Sequence, residues 1–335
     1  MRSNFKPTEE QLKILSLEKG THVVLAPPGS GKTELLANRV LKAKASGIED
    51  DEIICLTFTN RAAKGMQARI EKNYPDNELI IGNIHYFCLM FLTRNNLLPA
   101  NAQTLDEEEA DQLIDEIRSV LKYNEEKVHN NRLLLLATYI KQKALRLPKG
   151  LPPRLTNKEC PNTWEAKGVS DAYIKEKEKN KYIDFDDLLT LVYYHLTNDK
   201  NKELELSNFK WLQVDEVQDL NPLQWAIIRA ITSKPALSVY FGDYDQAIFS
   251  FMGAKLDSLS VIKETIEDDN DGEVHFLSKN FRAPSYLLDV YTKYAQTNWQ
   301  PDWTTFPTPA VIQPTPKHAL LMIKVKGDKN KELQF

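Results

Sequence analysis

Short, continuous apolar runs alternate along this chain with longer stretches in which apolar residues return every three or four positions. The runs are His22-Val23-Val24-Leu25, Ile53-Ile54-Cys55-Leu56-Thr57-Phe58, Ile80-Ile81, Trp211-Leu212-Gln213-Val214, Leu237-Ser238-Val239-Tyr240-Phe241 and Val274-His275-Phe276-Leu277. Runs of this length, bounded by turn residues, predict strands buried on both faces. The stretch from Thr33 to about Gly47 and the stretch from about 60 to 72 read as helices. Residues 8–19 read as a short amphipathic helix with Leu12, Leu15 and Ile14 inward, opened by a capping box of Thr8 and Gln11. Strands alternating with helices predict an α/β fold with a parallel, doubly wound sheet.

The texture changes between about 100 and 205, which is rich in Glu, Lys and Leu. Residues 106–122 and 130–145 are helical by spacing. The piece from there to 181 holds Pro148, Pro152, Pro153 and Pro161 and is expected to bend or loop. The pattern therefore predicts a mostly helical insertion in a sequence-discontinuous α/β domain. That domain takes 1–98 and 206–290, the insertion 99–205, and a linker with the start of a further domain 291–335. Trp299 to Pro316 is expected to be extended, and His318 to Val325 reads as one more strand.

Composition adds exclusions. With 335 residues, 42% hydrophobic and 27% charged, the chain can bury a sizeable core. The formal net charge of -4 gives no global basic signature, so any nucleic-acid contact must rest on a local surface. Cys55, Cys88 and Cys160 form no CxxC pair, which argues against a disulfide framework or zinc site. The N-terminus lacks the apolar core of a signal peptide, and no run reaches the roughly 18 apolar residues of a membrane span. A soluble, cytoplasmic protein with no membrane partner is expected.

The chemistry begins at Ala26-Pro27-Pro28-Gly29-Ser30-Gly31-Lys32-Thr33, which follows the first strand and opens a helix. Glycines let backbone N–H groups curl toward a phosphate, and the helix N-terminus adds its positive dipole. Lys32 is expected to reach the β- and γ-phosphates of ATP and Thr33 to ligate Mg²⁺. Ala26 stands where the usual pattern opens with Gly. A plain Gly/Pro turn is the alternative, and the strand-loop-helix context argues against it. Asp215 and Glu216 follow the strand at 211–214. An acid delivered to the carboxyl end of such a strand is a candidate Mg²⁺ ligand, here Asp215, and Glu216 is placed to polarise an attacking water.

In order along the chain, these pieces resemble the motifs of UvrD/Rep-type superfamily 1 DNA helicases. Val214-Asp215-Glu216-Val217-Gln218-Asp219 is similar to that family's motif II. The resemblance implies a RecA-like P-loop NTPase domain that uses ATP and Mg²⁺ and takes single-stranded DNA and duplex junctions as partners. It implies that Gln11 reads adenine, although a solvated helix glutamine would look the same. It places Phe58, Thr59 and Asn60, within the motif-Ia-like 56–63, on the DNA side, together with His85 in 82–88, where Asn83 and Ile84 depart from the family's Thr-Phe. Residues 184–189 resemble the segment where the insertion rejoins the core. Residues 241–254 resemble motif III, which implies that Gln246 senses the γ-phosphate and that Phe249 and Phe251 stack on bases; core packing is the alternative for both. Phe251 replaces the usual Trp and Met252 the frequent Arg. Residues 277–282 resemble motif IV, which implies that Phe281 stacks on adenine and Arg282 acts as an arginine finger.

No counterpart of the family's motifs V and VI follows residue 290, so the sequence is expected to be the N-terminal motor half of a 3′–5′ helicase or translocase. A nucleotide-dependent single-strand DNA clamp without unwinding and an unrelated P-loop phosphotransferase are the competing classes. The ordered motif set disfavours the last.

Overall fold

A computed structural model of the protein describes residues 6–125, 128–148, 150–151, 164–198, 204, 209–231, 237–243, 272–298 and 307–312. The chain divides into two compact units, residues 1–26 with 32–277, and residues 27–31 with 278–335.

The first unit is built on strands β1 (Thr21–Leu25), β2 (Ile53–Leu56) and β3 (Ile80–Gly82). A short pair, β4 (Gln103–Thr104) and β5 (Tyr182–Ile183), lies in the insertion, and β6 (Trp211–Val214), β7 (Leu237–Gly242) and β8 (Glu273–Phe276) follow. The main sheet is six-stranded in the order β3-β2-β6-β7-β1-β8, and every described pair in it is parallel. That is the expected α/β arrangement. Burial explains why the strands read as apolar runs. Every residue of β2, β6 and β7 is buried, so neither face needs polar side chains.

Helix α1 (Glu9–Leu15) precedes β1, and α2 (Lys32–Ala45), α3 (Asn60–Glu71) and α4 (Ile84–Arg94) flank the sheet. In α2, Leu35, Leu36, Val40 and Ala43 recur at helical spacing and are buried against Val24, Ile53, Val239 and Phe241. Each such leucine or valine side chain contributes about 1.5–3 kcal/mol of transfer free energy. Arg39 lies fully buried among them, with its guanidinium 4.7 Å from the centre of the Trp211 ring and donating to the Ile14 carbonyl. Burial pushes its pKa down to about 9.

Helix α1 corrects one expectation. The capping box forms, with Gln11 N–H donating to Thr8 Oγ1 at 3.2 Å and Thr8 N–H to Gln11 Oε1 at 3.0 Å. It fixes the phase so that Gln11 and Ile14 are buried while Leu12 is 51% exposed.

Helices α5 (Glu107–Leu121), α6 (Asn130–Ala144) and α7 (Trp164–Asn180), all within the stretch 99–205 expected to be an insertion, pack around a cluster of buried residues that includes Ile114, Leu133, Ala137, Val169 and Tyr173. Helix α7 replaces much of the loop expected before 181. Helix α8 (Phe185–Asn198) then returns against α4 and against α9 (Pro222–Ile231). A buried polar bolt ties α6 and α7 to the start of α8. Lys177 donates to Asp184 and, at 2.8 Å, to Asp187; Lys141 meets Asp187 at 2.6 Å and Thr138 donates to Asp186 at 2.6 Å. Removing one partner of such a group strands a buried charge, at about 3–5 kcal/mol.

In the second unit, β9 (Lys279–Asn280) pairs in parallel with β10 (Thr308–Pro309), and α10 (Ser285–Asn298) lies between them in sequence. Of the stretch expected to be extended, 307–312 are described and include β10; the strand expected at 318–325 lies outside the described residues. Cys55 and Cys88 are buried free thiols, and Cys160 also lies outside the described residues.

Candidate nucleotide site

Parallel strands point all their carboxyl ends to one edge of the sheet, and the segments singled out above leave from that edge. Residues 26–33 follow β1, 57–60 follow β2, Asn83 follows β3, Asp215 and Glu216 follow β6, and Asp243 follows β7. Backbone bonds extend the ladder past the strand ends: Ala26 N–H donates to Gly242 at 2.9 Å, Asp215 N–H to Leu56 at 2.8 Å and Thr57 N–H to Gly82 at 2.9 Å.

Within the first unit, Lys32 at the start of α2 meets both acids after β6. Its Nζ lies 3.1 Å from Asp215 Oδ1 and 2.6 Å from Glu216 Oε1. Burial alone would lower the Lys32 pKa, but the carboxylates of Asp215 and Glu216 outweigh it and hold the ammonium above its ordinary value. Burial, reinforced by the Glu216 charge, pushes Asp215 up to about 6 against the pull of Lys32. Asp219 is likewise pushed up to about 6 by burial and by Glu216. Glu216 sits in the left-handed region at φ 54°, an unusual conformation for a side-chain-bearing residue. Thr33 follows Lys32 on the first turn of α2 and is half-buried. Asp215 and the Thr33 hydroxyl are hard oxygen ligands of the kind Mg²⁺ takes in ones and twos, with phosphate and water completing its shell. Among the described residues no group of three or more His, Cys, Asp or Glu could hold an ion alone.

Within the second unit, Gly29 and Gly31 adopt φ 78° and 80°, the left-handed geometry that turns successive N–H groups into a cradle. Phe281 N–H donates to Gly29 O at 2.7 Å. Asn280, to which the sequence reading gave no role, organises this turn. Its Nδ2 donates to Pro28 O at 2.7 Å, while its Oδ1 accepts from the N–H groups of Arg282 at 2.9 Å and Ala283 at 2.7 Å. Phe281 is 52% exposed, leaving a ring face open to solvent.

Of the candidate DNA-side residues, Thr59 caps α3 through Ala62 N–H at 3.2 Å, Phe58 is half-buried, and Asn60 Oδ1 accepts from Asn83 Nδ2 at 2.9 Å. That last bond joins the segments after β2 and β3. His85 packs on Phe185 with ring centres 5.1 Å apart, and burial pushes its pKa to about 4, so it is an uncharged ring at neutral pH. Asn60, Lys64, Gln67, Tyr86 and Arg94 line a cleft of about 640 Å³. Gln11 is buried in the α1 capping box. Gln246, Phe249 and Phe251 lie outside the described residues. No described helix is long and apolar enough to cross a membrane.

A family model described as the UvrD/REP helicase N-terminal domain matches residues 7–267. The chain is 26% identical over 304 residues to the ATP-dependent DNA helicase PcrA of Staphylococcus epidermidis, a match covering 86% of this chain and 40% of that protein. The PcrA of Staphylococcus aureus is 25% identical over 301 residues, with the same coverage of both chains. The chain thus spans 40% of the length of these relatives.

Proposed function

The chain belongs to the UvrD/REP helicase family, and from that premise we propose that it binds ATP with Mg²⁺ and serves as the N-terminal motor part of a 3′–5′ single-stranded DNA translocase or helicase acting at duplex junctions in the cytoplasm. The observation that carries this reading is the buried contact of the Lys32 ammonium with Asp215 and Glu216. One cation and two acids at the carboxyl edge of a parallel sheet suit a phosphate and a divalent cation together. Lys32 holds the β- and γ-phosphates, Thr33 and Asp215 ligate the metal, and Glu216 orients and polarises the attacking water. Bound magnesium neutralises charge on the phosphate oxygens. Gln11 and Phe281 contact adenine; Gln246 and Arg282 act on the γ-phosphate. Ala26, Pro27, Pro28, Gly29, Ser30 and Gly31 form the cradle. Phe58, Thr59, Asn60, His85, Phe249 and Phe251 face the single strand, where base stacking contributes about 1–3 kcal/mol per base.

A second reading, a nucleotide-dependent DNA-binding module without unwinding, draws on Phe251 and Met252 standing where the resemblance leads one to expect Trp and Arg. ATP hydrolysis by this chain with and without oligo-dT, beside strand displacement on a 3′-tailed duplex, separates the readings. We expect saturable ATP–Mg²⁺ binding, slow turnover and no unwinding by the chain alone. DNA binding with no turnover, even in a protein of the relatives' full length, favours the module. DNA stimulation of turnover only in the full-length protein supports the helicase reading, and turnover indifferent to DNA in both proteins overturns both.

A further inference from the structure

We propose that Gln218 is a positioning residue that holds the Glu216 carboxylate in its working orientation by anchoring it to the backbone at the end of β7; this rests on the nucleotide reading above. Gln218 is buried, on the turn that follows β6. Its Nε2 donates to Glu216 Oε2 at 2.8 Å, and its Oε1 accepts from Asp243 N–H at 3.1 Å. The chemistry of the partners fixes the direction of both bonds. A carboxylate can only accept and a backbone N–H can only donate, so the carboxamide must turn its NH₂ to Glu216 and its oxygen to Asp243. The other oxygen of Glu216 is held by Lys32 at 2.6 Å. Both carboxylate oxygens therefore have a donor, one from α2 and one from Gln218.

The backbone of Glu216 makes such a hold necessary. At φ 54° and ψ 45° it occupies a region that non-glycine residues populate rarely and at a cost. A residue in that conformation persists where its surroundings over-determine it. Glu216 N–H donates to Asp215 Oδ1 at 2.9 Å, and Asp219 N–H to Glu216 O at 3.0 Å, which fixes the main chain. Neither bond orients the side chain. Gln218 does so, and by way of Asp243 N–H it refers that orientation to the neighbouring strand. When Lys32 turns to the phosphates, Gln218 remains as the hold on the carboxylate, and a misaligned base takes up the water's proton poorly.

The test uses Gln218→Met, which keeps the volume and deletes both bonds, and Gln218→Glu, which keeps an acceptor for Asp243 but sets a carboxylate against Glu216. ATP affinity is read with a fluorescent ATP analogue and the chemical step by single-turnover hydrolysis on the whole chain. We expect Gln218→Met to slow the step about 10- to 100-fold, the scale of a hydrogen bond to a charged group, with affinity changed less than about twofold. In a Glu216→Gln background, Gln218→Met should slow it no further, because residues acting through one group are not additive. Backbone amide exchange at Asp243 should accelerate in Gln218→Met and stay slow in Gln218→Glu, a readout that needs no turnover. Equal losses in both backgrounds, or affinity falling in step with rate, overturn the positioning role. So does full activity of Gln218→Met. Failure of the unsubstituted chain to bind ATP overturns the nucleotide reading instead, and positioning with it. Should Gln218→Met fail to fold, Gln218→Glu alone decides: wild-type turnover overturns the proposal, and a loss of rate at constant affinity supports it.

Discussion

At the scale of single residues, the proposed site predicts that holding a nucleotide and hydrolysing it can be separated. Glu216→Gln keeps the shape of the side chain and removes the charge proposed to polarise water. We expect ATP binding to survive and turnover to fall about 10²- to 10⁴-fold, measured by single-turnover hydrolysis. Lys32→Ala should instead abolish binding, because it also leaves Asp215 and Glu216 crowded without their cation. Turnover that survives Glu216→Gln would remove that residue from the role. Gly29 offers a second, steric test. A Cβ there would lie 2.8 Å from Arg282 Cβ and from Asn280 Nδ2, at a backbone φ of 78°. Gly29→Ala should weaken ATP binding about tenfold or more, since left-handed strain and the clash each cost on the order of 1 kcal/mol. Gly47→Ala is the control: φ is 82°, but nothing lies within 4 Å. Comparable losses in the two variants would mean that global destabilisation, not the cradle, is being read.

Type and neighbourhood singled out Lys32, after glycines, and Asp215 and Glu216, after a strand, and the structure brings these three together. Gln218 and Asn280 were not legible in the sequence. Their carboxamides act by bridging main chain to main chain or to another side chain, across 25 residues for Gln218 to Asp243 and 252 for Asn280 to Pro28. Nothing in a local pattern marks a long-range hydrogen bond. The left-handed conformation of Glu216 is equally silent, since a glutamate does not advertise positive φ as a glycine does.

At the scale of elements, legibility followed burial. The strands announced themselves because parallel strands covered on both faces must be apolar throughout. Helix α7 hid because its buried positions, Ala166, Val169, Ser170, Tyr173 and Lys177, include a serine and a lysine that the bolt with Asp184 and Asp187 makes tolerable. An apolar-periodicity reading cannot see a buried face that is partly ionic. The β1–β8 edge carries a pH dependence of known sign. His275 Nε2 lies 3.3 Å from His22 Nδ1, with Lys13, Glu273 and Arg39 also near. Burial, then the charge of His22, pushes His275 from 6.5 to about 4. Between those values the unfolded chain binds a proton that the folded chain refuses, so stability is present above 6.5 and is lost as pH falls toward 4. Thermal melts of His275→Gln should show a flatter decline over that window. The difference should be on the order of 1 kcal/mol, discounted for the solvent reaching Lys13 and Glu273. Parallel curves for the two proteins would show that other groups carry the acid sensitivity.

At the scale of the whole molecule, charge constrains how the proposed single strand could be held. A protein that binds chiefly through phosphates carries a basic field and loses affinity steeply with salt, because each neutralised phosphate releases counterions. This chain has a net charge of -4. The described residues assigned to the single strand are themselves uncharged: Phe58, Thr59, Asn60, and His85 held neutral by burial. The adjoining cleft carries Lys64 and Arg94 together with Glu78, and Arg61 follows Asn60 directly. Affinity should therefore come mainly from stacking and carboxamide contacts, which salt hardly screens. The expected outcome is a log affinity against log salt slope shallower than about −3 for oligo-dT, measured by fluorescence anisotropy over roughly 50–200 mM salt. Lys64→Ala should flatten the slope by about one unit, the share of a single phosphate contact. Replacing Phe58 with Ala should lower affinity at every salt concentration and leave the slope unchanged. A slope near −6 or steeper would mean that a basic surface on this acidic protein dominates binding, and the uncharged residues after β2 and β3 would no longer be the place to look for the strand.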